Sequence, residues 1–356
     1  MVHERIIHHV AWRGGTVVPC PIPKLRRLLD VKILLIGGAG YIGSAIAHHL
    51  LDRGHEPGVF DNLSTGLRAA VPDGVFFHEG DCGDSNALGA ALETFGAQAV
   101  IQLAASIRVE ESVSDPWKYY FNNTTKSLNV FQTCARAGVK DIVFSSTAAV
   151  YGEPSVEIID EGVATVPVNP YGHSKLASEF MLKDIARVAG MRATILRYFN
   201  VAGADPRLRT GQRTPEATHL IKVAAEVAAG KRAHLSIFGT DYPTRDGTCV
   251  RDYIHVMDLA LAHELALTTP GAAGQTRIYN CGYGTGHSVR EVVRAFDDVL
   301  GRPLPTQDKP RRPGDPPALA CNAEKLRREL GWQPAHASIK TIVETALAWE
   351  RKLAKS

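Results

Sequence analysis

Residues 31–51 leave little choice of fold. Residues 31–36 form a short, nearly continuous apolar run, the pattern of a strand buried on both faces. The run ends in Gly37-Gly38-Ala39-Gly40-Tyr41-Ile42-Gly43, and residues 42–51 then read as a helix. Glycines 37, 40 and 43 are spaced G-x-x-G-x-x-G. A strand, a glycine turn and a helix in that order let backbone N–H groups approach a pyrophosphate, and the helix N-terminus adds partial positive charge. A dinucleotide is therefore expected, cradled by Gly37, Gly40, Tyr41, Ile42 and Gly43.

The same alternation continues. Val59-Phe60 ends at Asp61-Asn62, and Asp61 lies 18 residues beyond Gly43. An acid there bonds adenosine ribose hydroxyls and disfavours a ribose phosphate, so the expected cofactor is NAD, not NADP. Val75-Phe76-Phe77 is a third strand, followed by Asp81 and Cys82 in position to meet adenine. Residues 99–103 make a fourth, and the small residues after Leu103, Ala104 and Ala105, let a cofactor lie across the strand end. Asp115-Pro116 caps and starts a helix that runs past Asn122 and Asn123 to Arg136. Residues 141–145 and 192–196 supply two more strands, closing at Thr147 and at Phe199-Asn200. The expected fold class is α/β, a Rossmann-like doubly wound parallel sheet.

Chemistry points to Asn169-Pro170-Tyr171-Gly172-His173-Ser174-Lys175. Pro170 suits a first helical turn. Tyr171 and Lys175 are four apart, so a helix places both on one face. A free phenol has a pKa of about 10, and a neighbouring ammonium favours its ionised form. The pair can thus act as a proton-transfer group.

Beyond residue 200 the pattern loosens. Residues 205–215 read as an Arg-rich surface loop, 219–229 as a helix and 236–239 as a short strand. Residues 250–258 lead into another helix, and 309–315 form a basic loop. The expected division is an N-terminal extension over 1–30, poorly packed, an NAD-binding domain over 31–199 with part of 250–265 returning to it, and a smaller C-terminal lobe over 200–356. Residues 1–30 lack an apolar signal core. They are read as an extension from an upstream translation start.

Of 356 residues, 45% are apolar and 22% charged, as in a soluble globular protein. No run of about 18 apolar residues predicts a membrane span. The formal charge of +3 belongs to residues 1–30, which carry five basic and two acidic groups; the rest balances at 35 of each, giving no global bias toward nucleic acid. Six scattered cysteines without a Cys-x-x-Cys pair fit a reduced, cytoplasmic protein with no metal site.

Taken together, residues 37–44, Asp61-Asn62-Leu63, Glu111-Ser112-Val113, 145–152, 171–175, 196–200, 237–259 and 311–315 resemble the extended short-chain dehydrogenase/reductase family, and within it the UDP-glucose 4-epimerase branch. The resemblance covers about residues 31–350. It implies interconversion of UDP-glucose and UDP-galactose by NAD-dependent oxidation at sugar carbon 4. The 4-keto sugar then rotates and is re-reduced without facial selectivity. Tyr171 would exchange the proton of the 4-hydroxyl, Lys175 would lower its pKa and bind the nicotinamide ribose, and Thr147 would ease the transfer. Asn200, Arg251 and Arg312 would meet the UDP pyrophosphate, Phe238 the uracil and Asp315 the uridine ribose. His219 and Leu220 stand where the family contacts the nucleotide. The resemblance also implies a homodimer through the helices near 115–136 and 171–189.

Three positions depart from the family pattern. Ile107-Arg108 stands where many members have a lysine, His219 where an Asn is common, and Leu319 where several carry a bulky Tyr. The smaller Leu319 suggests room for UDP-N-acetylhexosamines. Other readings are a UDP-glucuronate or UDP-GlcNAc 4-epimerase and a non-catalytic NAD-binding redox sensor. A 4,6-dehydratase needs an acid and a base after the threonine, and Ala148-Ala149 cannot supply them.

Overall fold

The structure, a computed structural model, describes residues 31–213, 217–312 and 316–355. The expectations for residues 1–30, Pro215 and Asp315 fall outside these. Among the described residues, seven strands form one parallel sheet: β1 (Lys32–Ile36), β2 (Glu56–Asp61), β3 (Phe76–Glu79), β4 (Ala99–Gln102), β5 (Asp141–Thr147), β6 (Arg192–Tyr198) and β7 (Thr276–Cys281). Their spatial order is β7-β6-β5-β4-β1-β2-β3. The order reverses between β1 and β4, which makes a crevice at the carboxyl ends of the strands there.

The apolar runs are continuous because both faces are covered. Ile33 and Leu35 face a core shared with α1 (Tyr41–Asp52) and a later helix, Val256–Thr268. Leu34 and Ile36 face the other core, with α2 (Ser85–Phe95), α3 (Lys126–Arg136) and α4 (Pro170–Ala189). Each such fully buried side chain contributes about 1.5–3 kcal/mol relative to exposure. Helix α4 starts where the sequence says it should: the Asn169 side chain accepts from Gly172 N–H at 2.9 Å, and Pro170 occupies the first turn. It stops at Gly190, which adopts φ 67°.

Two assignments change. Residues 276–281, given to the C-terminal lobe, form β7 and pair in parallel with β6. Thr276, Arg277 and Asn280 interrupt the apolar pattern that would have marked a sheet strand. The helix drawn unbroken from 116 to 136 contains a π-helical turn, Tyr120–Thr125, between Pro116–Tyr119 and α3. Such turns carry an extra residue and re-aim side chains, and this one bears Asn122 and Asn123.

The second half builds a five-stranded sheet among the described residues. Val250–His255 pairs with Asn200–Ala202, Gly286–Ser288 and Ala318–Cys321, and the last of these pairs with Ile158–Ile159. The Asp252 carboxylate joins its parts, accepting from the backbone N–H groups of Tyr283, Gly284 and Cys321 at 2.9, 2.8 and 3.2 Å. The lobe does not have a core of its own, since Val292, Phe296, Trp332, Ile342 and Leu347 continue the core that holds Ile33 and Leu35.

The stretch read as a surface loop is a half-buried strap. Asp205, Thr210 and Gln212 are buried, Arg209 pairs with Asp52 of α1, and Gln212 accepts from the Trp349 indole at 3.1 Å. Arg207 and Arg209 thus face the Asp52 carboxylate, and Arg213 lies over the Trp349 ring. Among the described residues no helix is long and apolar enough to cross a membrane.

Candidate active site

Gly37 leaves β1 with φ +85°, a conformation that L side chains rarely adopt. A Cβ there would lie 2.6 Å from the backbone nitrogen of Ala104. Helix α1 opens at Gly40 with no side-chain cap, so its first N–H groups face the crevice. The turn is a cradle that a larger residue would fill, and it fits a dinucleotide pyrophosphate.

The remaining cofactor candidates line the carboxyl edge of the sheet. Asp61 ends β2 and accepts from Ala39 N–H at 2.9 Å and Leu63 N–H at 2.8 Å. Burial pushes its pKa up, and these two bonds oppose that shift. Asp81 follows β3 and accepts from Asn62 at 3.0 Å and Lys126 at 2.7 Å. Cys82 beside it is a buried thiol, pushed up to about 11 chiefly by burial. Leu103 and Ala104 donate their N–H groups to Ile36 O at 2.8 and 3.0 Å, bringing Ala104 and Ala105 alongside the glycine turn. Tyr41 reaches the other half of the chain, its hydroxyl donating to Gly203 O at 2.6 Å.

Asn122 Nδ2 donates to Ser106 Oγ at 3.1 Å, so the π-helical turn braces the loop after β4. Asn123, which the sequence reading leaves without a role, contributes more. It accepts from Ser106 N–H at 2.8 Å and donates to Ser106 O and to Ser174 Oγ, both at 3.0 Å. Ser174 lies between Tyr171 and Lys175, so this asparagine ties the cofactor loop to the chemical helix.

Gly172 brings that helix close to the turn after β5; a Cβ there would lie 2.6 Å from Ala149 O. Thr147, the last residue of β5, stands close enough to the Tyr171 phenol to favour its ionised form, and its hydroxyl accepts from Ala149 N–H at 3.1 Å. Tyr119 meets the Tyr171 ring edge-on at a centroid distance of 6.3 Å. Lys175 is 2% exposed, its amine 4.5 Å from the centroid of the Phe144 ring.

The expected effect of Lys175 on Tyr171 is not the dominant one in the chain by itself. Burial raises the phenol's pKa, and Thr147 opposes it. Lys175 is brought down to about 7 by the same burial, with the Glu179 carboxylate acting in the opposite direction. With its pKa drawn down so far, the amine exerts the full field of an ammonium only while it is protonated.

Of the substrate candidates, Asn200, Arg251 and Leu319 lie on the second sheet, whereas Phe238 ends a strand of a separate two-stranded sheet, paired with Thr306–Lys309. Phe199 donates its N–H to Cys281 O at 3.0 Å, still in line with the parallel sheet. Asn200, the next residue, pairs with Tyr253 and donates to Asp252 O at 3.1 Å. Arg251 is in register with Leu319 on one side and His287 on the other. Side chains of residues in register share a sheet face, and alternate residues return to it. Asn200, Tyr253, Arg251, Leu319 and His287 therefore lie on a common face. Tyr253 and His287 were not singled out from the sequence, because only strand pairing brings them there.

Arg312 stacks over Phe238 at 4.0 Å, so the residues assigned to the pyrophosphate and the uracil touch each other. Arg312 is also 4.0 Å from Glu110 in Val109–Ser114, across the crevice. His219 precedes the helix Leu220–Ala228 and lies 3.2 Å from Gln212. Ile107 is exposed and Arg108 forms the N-terminal cap position of Val109–Ser114, acting on the Glu111 carboxylate.

Residues 33–282 match the model of the NAD dependent epimerase/dehydratase family. The chain is 53% identical over 325 residues to the UDP-glucose 4-epimerase of Azospirillum brasilense, which covers 91% of this chain and 93% of that one. It is also similar to the crystal structure of UDP-glucose 4-epimerase from Brucella ovis in complex with NAD. That match has 43% identity and a TM-score of 0.87, covering 90% of this chain and 98% of that one. The UDP-Glc/GlcNAc 4-epimerase of Campylobacter jejuni matches at 45% identity and a TM-score of 0.79, over 90% of this chain and 99% of that one.

The cradle makes one direct demand. Gly37→Ala forces a Cβ against Ala104 in a left-handed backbone, so dinucleotide affinity should fall roughly 10–100-fold. Titration of the folded variant with NAD, followed by calorimetry, checks this; wild-type affinity would exclude the turn from the binding site.

Proposed function

The chain belongs to the NAD dependent epimerase/dehydratase family, and from that premise we propose that it interconverts UDP-glucose and UDP-galactose. The observation that carries this reading is the convergence of Tyr171, Lys175 and Thr147, where Thr147 counters the burial that disfavours the Tyr171 phenolate. It stands at the carboxyl edge of the cofactor sheet, next to the crossing that leads to the face bearing Asn200, Arg251 and Leu319.

Gly37, Gly40, Gly43 and the first turn of α1 hold the pyrophosphate of NAD, Asp61 its adenosine ribose, and Lys175 its nicotinamide ribose. NAD held there would supply the hydride acceptor, and then the hydride donor, for carbon 4 of the sugar. The chain's own chemistry is proton transfer. Tyr171 accepts the proton of the 4-hydroxyl at its phenol oxygen and later gives it back, and Thr147 eases that transfer. Burial favours the neutral phenol, so Lys175 must be an ammonium when Tyr171 works as a base. Arg251 and Arg312 provide guanidinium forks for the diphosphate.

Purified protein should convert UDP-galactose to UDP-glucose without added NAD. Tyr171→Phe should keep UDP-sugar binding and lose about 10²–10⁴-fold in kcat. Unchanged turnover in that variant would remove Tyr171 from the mechanism.

A second substrate class is favoured by Leu319, which is half-buried in register with Arg251. A leucine leaves more room than a tyrosine at a sugar's 2-substituent, so UDP-GlcNAc should also be turned over. Direct assay beside UDP-glucose decides it, and no conversion would refute it.

The protein acts as a homodimer in this reading. Helix α4 exposes Phe180 at 54% and Val188 at 85%, and the neighbouring Trp117 and Phe121 are exposed at 84% and 57%. Large apolar side chains at helical spacing on two adjacent helices fit an isologous interface. Sedimentation should give a dimer that Trp117→Glu with Phe180→Glu dissociates; an unchanged sedimentation coefficient would remove these helices from the interface. Five free buried thiols among the described residues fit a reducing, cytoplasmic setting, which cell fractionation checks.

A further inference from the structure

Lys175 is a cation in a site that opposes cations, and something must keep its proton on. On α4 itself stand Tyr171 and, one turn further, Glu179. From β5 come the Phe144 ring, Ser146 and, at its end, Thr147, and from β6 comes Arg197, while Tyr198 turns to His263 on the other face of the sheet. Tyr151 follows β5, and Asn123 and Tyr119 close the other side. Glu111 reaches that side too, but it accepts from Lys118 and from the Tyr119 hydroxyl. Arg277 of β7 turns away, toward Thr194 and the carbonyl of Ala266.

Glu179 is the carboxylate turned inward. It is 0% exposed, and burying a charge so fully needs partners on every oxygen. It has them: Arg197 donates from Nε to Oε1 at 3.0 Å and from Nη2 to Oε2 at 2.7 Å, and Ser146 Oγ donates to Oε1 at 2.6 Å. Arg197 is held in turn, donating to the Tyr151 hydroxyl at 2.9 Å, which donates to Asn280 at 2.7 Å. The carboxylate is thus locked to two strands of the sheet, four residues along the helix from Lys175.

We propose that Glu179 is the positioning residue for Lys175: its carboxylate, fixed by Arg197 and Ser146, supplies the buried negative charge that keeps the amine protonated and α4 in register with Thr147. In the epimerase reading Lys175 is the group that meets the nicotinamide ribose, and Glu179 acts through it. The field of Glu179 on Lys175 has the required sign, and it works against burial. The ammonium is present below its pKa and lost as pH rises through it. Removing the Glu179 charge therefore moves that loss to lower pH. The inference rests on the epimerase reading for its meaning in turnover, but not for the ionisation itself.

The test is a titration of NAD-bound protein carrying lysine labelled with carbon-13 at Cε, with the Lys175 resonance assigned by its disappearance in Lys175→Met. Glu179→Gln should lower the Lys175 midpoint by about one pH unit and move the alkaline limb of kcat down with it, leaving KM for UDP-galactose within about twofold. Glu179→Asp should restore both. Should the single variant fail to fold because Arg197 is left unpaired, Glu179→Gln with Arg197→Met removes both charges; the lost cation offsets part of the lost carboxylate, so the Lys175 midpoint should fall by less than in the single variant, and the absence of a fall overturns the proposal. A Lys175 midpoint that stays at the wild-type value in the folded variant overturns the proposal, even if kcat falls at all pH values. Wild-type protein that fails to epimerise would instead overturn the functional reading, and the titration would still decide the role of Glu179.

Discussion

One peptide bond, between Phe199 and Asn200, carries the chain from one sheet to the other. Phe199 still bonds Cys281 in the parallel sheet, and Asn200 already pairs with Tyr253 in the second. Because β6 also lies beside β5, the crossing fixes Asn200 relative to Thr147. A group held on the second sheet is therefore presented to Tyr171 at a distance set by backbone hydrogen bonds, not by flexible side chains. The shared core beneath both halves keeps that distance from changing freely.

Buried charge is handled the same way on both sides of the crossing. Asp61 and Asp252 are low in exposure and accept from backbone N–H groups. Glu179 is held by Arg197 and Ser146. Each carboxylate does structural work where it is bonded: Asp61 pins the glycine turn, Asp252 gathers the strands next to Arg251, and Glu179 anchors α4. Lys175 differs, having an aromatic face near its amine, and its ionisation is the most open to adjustment.

Much of the cofactor half was legible in the sequence. Strands buried on both faces read as apolar runs, and the glycine turn, the Asn169-Pro170 helix start and Asp61 have local causes. β7 was not legible, because at the sheet edge Thr276 and Arg277 stay half-buried, and the buried Asn280 is satisfied by Tyr151 and Ile159, which come from elsewhere in the chain. The π-helical turn at Tyr120–Thr125 also left no mark, since a one-residue widening does not disturb helical periodicity enough to be read. Asn123 and Glu179 were passed over because their partners, Ser106 and Arg197, are distant in the chain.

By itself, the sequence determined the parallel sheet, the dinucleotide turn and the spacing of Tyr171 and Lys175, all consequences of backbone geometry within a few residues. Tertiary structure decided which residues share the face with Arg251, that burial draws the Lys175 pKa down to about 7, and that Arg197 and Ser146 hold the Glu179 carboxylate one turn along the same helix to oppose that shift. Desolvation and strand register depend on what packs from elsewhere in the chain, and no local pattern encodes either.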